Sequence, residues 1–282
     1  MKKFALIGCG YWGTIILNTI KKLNKHKYIY IHDEDNKKVK ILKKRFGKFV
    51  KEANLKKILN NKKIKYIYLA TPPSKNYNLV KKIIYQNKNI LIEKPGFRVI
   101  SEFNKIKKIL PKTKSKIRVG YVYLYNNYIK YIKRIILNKK FGKIKYIKFI
   151  RENFGPIRND VNSFIDLATH DLSIIKYFFK NKLKTNKVIK HDILRKKNGD
   201  ITFANFKCKN IDIDISVSWL HPEKIRKIII ISDKKMIIYD EMDLSMPIKI
   251  FNNYATYPKI LKYSKSYFSK KAFIYKGTSK YI

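Results

Sequence analysis

The chain has 282 residues, of which 45% are apolar, and its formal net charge is +47. This length and this apolar content predict a folded protein with about two domains and a sizeable core. No apolar run approaches the roughly 18 residues that a membrane helix needs. Membrane insertion is therefore not expected.

The excess of basic residues first points to a nucleic-acid binder, because lysine and arginine displace counterions from phosphates. Only eight of the 66 basic residues are arginine, which leaves 58 lysines. Nucleic-acid surfaces favour arginine, whose planar fork grips phosphates bidentately. The lysines are also spread from end to end, together with abundant Ile, Asn and Tyr, whose codons are all rich in A and T. We interpret the charge as genomic composition bias and expect no specific nucleic-acid partner, with a polyanion binder as an alternative.

The two cysteines, Cys9 and Cys208, form no disulfide framework. A basic start followed by Cys9 resembles a lipoprotein signal, but only five residues, 4–8, separate the two. The apolar region of a signal peptide needs about 7–15 residues. The reduced cytoplasm is therefore the expected compartment.

The first part of the chain alternates strands with helices. Phe4 to Ile7 is a continuous apolar run, typical of a strand that is covered on both faces. Ile16, Ile20 and Leu23 then mark one face of a helix. Further strands are predicted over 28–32, 66–70 and 89–92, and a further helix over 79–84. This order predicts an α/β fold with a doubly wound parallel sheet.

The pattern changes after about residue 118. From Ile211 to Trp219, apolar residues alternate strictly with Asp and Ser. This alternation predicts an antiparallel strand with one buried face and one solvent-facing face. Two more strands are predicted over 144–150 and 201–206, and a hairpin is predicted from 228–231 and 236–239. We therefore predict a first domain over 1–118 and an α+β domain over 119–282, built on an open, largely antiparallel sheet.

A glycine pattern, Gly8-Cys9-Gly10-Tyr11-Trp12-Gly13, joins the first strand to the first helix. Gly8 permits a tight turn, Gly10 lets the backbone approach a pyrophosphate, and Gly13 allows close helix–strand packing. The helix N-terminus attracts phosphate charge. Asp33 ends the second strand, 20 residues after the last glycine, where a carboxylate binds ribose hydroxyls and repels a 2′-phosphate. The motif predicts a Rossmann-type site for NAD in preference to NADP. The alternative is an ordinary glycine turn.

Several motifs resemble, in order, the glucose–fructose oxidoreductase / inositol dehydrogenase / rhizopine-catabolism (Gfo/Idh/MocA) family. Besides the glycine pattern and Asp33, they are Ala70-Thr71-Pro72-Pro73, Glu93-Lys94-Pro95, Gly120-Tyr121 and Asp166-Leu167-Ala168-Thr169-His170-Asp171. Glu-Lys-Pro at the end of a strand is the most specific of these. The resemblance covers most of residues 3 to about 240. It implies an NAD-dependent oxidoreductase that acts on a secondary hydroxyl of a sugar, nucleotide sugar or cyclitol.

The resemblance also implies roles for individual residues. Lys94 and His170 would face the carbon that carries the substrate hydroxyl, and Asp166 would complete the catalytic set. The cofactor-binding residues that it implies are Gly8, Gly10, Tyr11, Trp12, Gly13, Asp33, Thr71, Pro72, Pro73, Asn76, Glu93, Lys94 and Pro95.

The chemistry suits these residue types. Oxidation of an alcohol requires loss of the hydroxyl proton, and imidazole is a base with a pKa near neutrality. The cation of Lys94 would stabilise the developing alkoxide. Asp166, one helical turn before His170, could orient it or bind substrate hydroxyls. A structural role for His170 at a helix end is the alternative. No further ligand set accompanies Asp166, His170 and Asp171, so we predict no metal.

Two features depart from the family pattern. Asn76 stands where members commonly carry His, although an amide still donates and accepts hydrogen bonds. Members also run several tens of residues longer, whereas this chain stops at Ile282 after a basic, aromatic-rich stretch from Tyr254. We expect either a sheet that closes differently or an incomplete substrate domain. A non-catalytic dinucleotide-binding protein or truncated remnant is therefore an alternative.

Substrate and assembly are less sharply indicated. The segment from Arg151 to His170 resembles the polysaccharide-biosynthesis branch of the family, whose members often oxidise nucleotide-linked sugars. A small-molecule sugar or nucleotide sugar is the expected partner, and a homo-oligomer is left open.

Overall fold

The computed structural model of the chain describes residues 3–23, 27–158, 160–194, 199–252 and 279–281. It divides into two compact units, Met1–Tyr121 and Val122–Ile282. The aromatic-rich stretch that begins at Tyr254 lies outside the described residues up to position 278.

The first unit is a parallel sheet with helices between its strands. The strands are β1 (Lys3–Ile7), β2 (Ile29–His32), β3 (Val50–Glu52), β4 (Ile64–Leu69), β5 (Asn89–Ile92) and β6 (Ile117–Val119). The helices are α1 (Tyr11–Lys22), α2 (Asn36–Phe46), α3 (Leu55–Asn60), α4 (Pro73–Tyr85) and α5 (Ile100–Ile109). The sheet order is β3–β2–β1–β4–β5–β6, and each neighbouring pair is parallel. The predicted doubly wound α/β sheet is confirmed, and β6 extends one residue past the predicted domain end at 118.

Apolar side chains on both faces of β1 explain why its sequence shows no alternation. Ala5 and Ile7 pack into one hydrophobic cluster, whereas Leu6 packs into another. A strand covered on both sides needs apolar residues at every position. The predicted face of α1 is confirmed at Ile16 and Ile20, which pack against the same cluster as fully buried Leu17. The prediction is wrong at Leu23, which is 59% exposed. Leu23 is exposed because α1 ends at Lys22, so that Leu23 lies beyond the packed turns.

The second unit is built on an eight-stranded sheet. Its strands are β7 (Ile144–Phe154), β8 (Lys184–His191), β9 (Ile201–Cys208), β10 (Ile211–Ser218), β11 (Leu220–Ser232), β12 (Met236–Asp240), β13 (Ile248–Phe251) and β14 (Ser279–Tyr281). The helices are α6 (Asn127–Leu137) and α7 (Thr169–Phe179). The order is β14–β13–β12–β11–β7–β10–β9–β8. The predicted largely antiparallel sheet is confirmed, together with the hairpin of β11 and β12.

Two details of β10 differ from the prediction. The strand is antiparallel to β9 but parallel to β7, because alternation reports which face is buried and carries no information on strand direction. The predicted solvent-facing residues Ser216 and Ser218 are buried. Their hydroxyls have partners: Ser216 donates to Glu152, and Ser218 accepts from the Leu220 N–H. A small hydroxyl can be buried where such bonds replace water.

The core of the second unit lies between its sheet and helices α6 and α7. Ile213 and Ile215 of β10 pack with Phe149 of β7, Ile132 of α6 and Ile174 of α7 in one cluster. All five side chains are at most 1% exposed.

We predict that Ile213→Ala destabilises the second unit by about 2–5 kcal/mol, since a buried Ile loses both its apolar burial and its packing. The matched control is Ile189→Ala, because Ile189 is 41% exposed on edge strand β8. That change should cost less than about 1 kcal/mol. Urea unfolding, followed by Trp219 fluorescence in a Trp12→Phe background, measures both. Equal losses would contradict the assignment of this core.

Candidate functional site

The glycine turn after β1 contains two glycines that packing requires and one that it does not. Gly8 has φ +100°, and a Cβ there would lie 2.4 Å from the Ala70 carbonyl oxygen. At Gly13 a Cβ would lie 2.1 Å from the Gly8 carbonyl oxygen. At Gly10, by contrast, a Cβ would meet nothing within 4 Å, and φ is an ordinary −76°. The space beside Gly10 is therefore open, as the close approach of a pyrophosphate requires.

The N-terminus of α1 provides N–H groups beside this space. Gly10 is the N-cap and supplies no capping side chain, and the first turn carries no acidic residue. The N-terminal N–H groups and the helix dipole favour an anion at such a position. Tyr11 and Trp12 follow directly, with 80% and 45% of their surfaces exposed.

Asp33 fixes the glycine turn as well as standing where a ribose would bind. One carboxylate oxygen accepts the Cys9 N–H at 2.7 Å, and the other accepts the Asp35 N–H at 2.9 Å. Burial, followed by the charge of Asp33, raises the pKa of the Cys9 thiol to about 12. Cys9 is therefore a neutral packing residue. Each Asp33 oxygen has a second lone pair, which could accept a ribose hydroxyl.

Asn76 connects the two turns that follow β4 and β5. Its Oδ1 accepts the Thr71 hydroxyl at 2.7 Å, and its Nδ2 donates to the Gly96 carbonyl at 2.6 Å. The side chain is 1% exposed. The amide thus uses both its acceptor and its donor to hold the Thr71-Pro72-Pro73 turn against the Glu-Lys-Pro turn. Pro73 begins α4, where its missing N–H is no loss.

Glu93 is held in the interior next to Lys94. It is 8% exposed, and its Oε1 accepts the hydroxyl of Tyr68 from β4. Gly120 lies against it: a Cβ at that position would be 3.4 Å from Glu93 Oε1. The Lys94–Pro95 peptide bond is cis, and Lys94 itself is half-buried. Tyr68 was not identified from the sequence, because its position in a strand resembles that of any core tyrosine.

In the second unit, Asp166 occupies a π-helical turn, Phe164–Ala168, that runs directly into α7. Its two oxygens accept bonds at 3.3 Å from Arg158 Nη1 and from Trp219 Nε1. Arg158 is itself held by Asp160 through two nitrogens. Widened turns of this kind are frequent at functional sites. Arg158 and Trp219 were not predicted as site residues, although Trp219 ends the alternating strand that the sequence indicated.

His170 is the second residue of α7 and is half-buried. The ring of Tyr123 meets its imidazole edge-on, with centroids 5.0 Å apart and an interplanar angle of 61°. The next residue, Asp171, is buried and bonded to Arg151. Sequence analysis did not identify Tyr123 or Arg151. The available signal was the charged Arg151 at a core-facing position of β7, two residues after buried Phe149.

The structure places Lys94 in the first unit and Asp166 and His170 in the second. Over the described residues, no group of three or more His, Cys, Asp or Glu side chains is arranged to hold a metal. The helices within those same ranges include none that is long and apolar enough to cross a membrane.

Comparison with known proteins gives a match over the first unit. Residues 2–121 match the Gfo/Idh/MocA oxidoreductase family, described as having an NAD-binding Rossmann fold. A curated relative, glucose-6-phosphate 3-dehydrogenase of Bacillus subtilis (strain 168), is 22% identical to this chain. The alignment covers 67% of this chain and 57% of that relative.

Two solved structures share the fold over both units. UDP-N-acetylglucosamine 3-dehydrogenase GnnA from Acidithiobacillus ferrooxidans has a TM-score of 0.78 at 15% identity, over 99% of this chain and 82% of that one. The WlbA dehydrogenase from Bordetella pertussis, solved with NADH and UDP-GlcNAcA, has a TM-score of 0.77 at 16% identity. That match covers 84% of this chain and 73% of that one. At these identities the likeness shows a common fold.

We predict that Gly10→Ala leaves folding intact but weakens NADH binding at least about tenfold, because its methyl group would occupy the space beside the helix N-terminus. Gly13→Ala is the matched comparison, since its Cβ meets backbone; it should cost about 1–3 kcal/mol of stability or more. Thermal unfolding and NADH titration separate the two effects. Tight NADH binding by Gly10→Ala would contradict the assignment of this space.

Proposed function

We propose that this chain, whose residues 2–121 match the Gfo/Idh/MocA oxidoreductase family, is an NAD-dependent dehydrogenase of a sugar, nucleotide sugar or cyclitol. It would transfer a hydride between the nicotinamide and the carbon of a secondary hydroxyl. The observation that carries the proposal is the open space at Gly10, beside an uncapped helix N-terminus and Asp33. These residues fit a dinucleotide.

Three side chains have separate roles in the proposed reaction. NAD, when bound, would accept the hydride from the substrate carbon that carries the secondary hydroxyl. His170 takes the proton of that hydroxyl, so that the substrate becomes a ketone. Lys94 donates a hydrogen bond to the oxygen and stabilises its developing negative charge. Asp166, held by Arg158 and Trp219, would bind a substrate hydroxyl or orient His170.

The position of Asp33 supports NAD as the preferred cofactor. Its carboxylate is fixed by two backbone N–H groups and cannot swing away without breaking both bonds. A 2′-phosphate at the adenosine ribose would therefore meet a fixed negative charge, whereas a ribose hydroxyl could donate to it.

Asp33→Asn should reduce the preference for NADH over NADPH at least about tenfold, because it removes a close charge–charge repulsion. Glu52→Gln is the control for net charge, since Glu52 is an exposed carboxylate on β3 paired with Lys43. Titration of both cofactors into each variant gives the ratio of dissociation constants. An unchanged ratio in Asp33→Asn would overturn this role.

The relatives favour a substrate that carries phosphate. One is named for glucose 6-phosphate and another for UDP-N-acetylglucosamine. A formal net charge of +47 would also raise the rate at which anionic substrates associate. We propose that phosphorylated and nucleotide-linked sugars react in preference to inositol or free glucose, with a role in surface polysaccharide synthesis for a nucleotide-linked substrate.

We predict that His170→Ala lowers kcat by about 10²–10⁴-fold, the range for loss of a general base. Lys94→Ala should lower kcat by about 10²–10³-fold, the range for loss of one donor to a developing oxyanion. NAD reduction is measured with UDP-N-acetylglucosamine, UDP-GlcNAcA, glucose 6-phosphate, glucose and inositol. The matched controls are Lys107→Ala and His191→Ala, whose side chains are exposed.

Equal turnover by wild type, Lys94→Ala and His170→Ala would remove the proposed catalytic roles. NADH binding with no turnover on any of these substrates would instead favour a non-catalytic dinucleotide-binding protein. A polyanion binder would be recognised by specific nucleic-acid binding at physiological salt, with a steep salt dependence.

A further inference from the structure

A buried ion pair joins Arg151 to Asp171, the residue that follows His170. Arg151 is 5% exposed and Asp171 is 1% exposed. The guanidinium contacts Asp171 with two nitrogens: Nη2 donates to Oδ1 at 2.8 Å, and Nε lies 3.2 Å from the same oxygen. Asp171 follows His170 in the first turn of α7. The pair therefore fixes β7 to the backbone that carries the imidazole.

The remaining terminal nitrogen of Arg151 holds Tyr123. Arg151 Nη1 donates to the Tyr123 hydroxyl at 2.8 Å, and that hydroxyl donates to Glu241 Oε2 at 2.6 Å. The guanidinium carbon also lies 4.6 Å from the centre of the tyrosine ring. The hydroxyl thus accepts one bond and donates another, and the ring is fixed at one edge and across one face.

Charge and burial keep this arrangement in one protonation state. Burial alone would lower the pKa of Arg151, but the charge of Asp171, together with Tyr123 and the hydrogen bonds to both residues, more than offsets this and raises the pKa above its ordinary value. Burial raises the pKa of Tyr123 to about 12, although Arg151 acts in the opposite direction. At neutral pH the guanidinium is therefore charged and the phenol is protonated, so each donates its hydrogen bond.

Stability alone gives little reason to retain such a cluster. Apolar residues of similar volume in place of a buried ion pair are often neutral or stabilising, because two charges must lose their hydration. What the cluster does hold in place is the Tyr123 ring, whose centroid is 5.0 Å from that of His170. An edge-on aromatic contact restricts the orientation of the imidazole.

We propose that Tyr123, fixed by Arg151, Asp171 and Glu241, is a positioning residue that sets the orientation of the His170 imidazole for proton transfer. The inference rests on the proposed function for its effect on turnover. The contact between the Tyr123 ring and His170 can be measured without turnover, so the inference and the proposed function can fail separately.

The first measurement compares turnover of Tyr123→Leu, Tyr123→Phe and wild type. Tyr123→Leu removes the ring, and kcat should fall about 3–10-fold with KM for NAD unchanged, a loss of the size of an aromatic pair. Tyr123→Phe keeps the ring and should recover part of that loss. Tyr125→Leu is the matched control, because Tyr125 lies in the same 3₁₀ turn and is 70% exposed; its kcat should equal that of wild type.

The second measurement is the Cε1–H resonance of His170 in histidine-labelled protein, assigned by its loss in His170→Gln. Tyr123→Leu should move this resonance, because the ring current of the tyrosine disappears, whereas Tyr125→Leu should not. Thermal unfolding checks the fold of each variant. If Tyr123→Leu does not fold, Tyr123→Phe and Glu241→Gln, which both release the ring from an anchor, must move the resonance.

An unmoved His170 resonance would overturn the inference whatever the enzyme does. A moved resonance with full kcat in Tyr123→Leu would also overturn it, since the contact would then have no effect on proton transfer. If wild type turns over none of the sugars, the proposed function fails, and the resonance still decides whether the Tyr123 ring contacts His170.

Discussion

The close approach of α1 to the turn after β1 is the constraint on which the proposed cofactor site depends. A side chain at Gly13 would overlap the Gly8 carbonyl, and one at Gly8 would overlap the Ala70 carbonyl. These two contacts draw the helix N-terminus against the ends of β1 and β4. Asp33 then ties the same turn to the end of β2 through the Cys9 N–H. The N–H groups at the start of α1 are consequently fixed in place before any ligand binds. Such preorganisation lowers the entropic cost of binding a phosphate there.

Much of the first unit could be predicted because its sequence signals are local. The apolar run of β1 and the glycine spacing each report a backbone requirement within a few residues, and Asp33 stands at the fixed spacing of about 20 residues that the motif specifies. What could not be predicted depends on long-range contacts. The sequence does not show that Asn76 bonds to Gly96, or that Tyr68 bonds to Glu93. Both bonds form only after the sheet has brought neighbouring strand ends together.

The fold class of the second unit could be predicted from the sequence, whereas several residues of its candidate site could not. The alternation of apolar and polar residues identifies the apolar face of β10. It does not identify β7 as the parallel neighbour, because β7 is far away in the sequence and no local pattern indicates the pairing. Arg151 illustrates the same limit. Its position two residues after Phe149 marks it as buried, and a buried charge needs a partner. Only the fold identifies that partner as Asp171, 20 residues further along the chain.

Asn76 in the first unit and Arg151 in the second unit stabilise their units in the same way. Each is a buried polar side chain whose described bonds connect segments far apart in sequence. Losing one partner would leave a desolvated group unpaired, which costs more than the bond itself contributes. Such buried side chains are compatible with few alternative backbone arrangements, whereas the many exposed lysines are compatible with most of them. A few buried polar side chains thus fix the segments that carry the proposed reacting groups, while the large net charge is carried by a surface that does little to specify the fold.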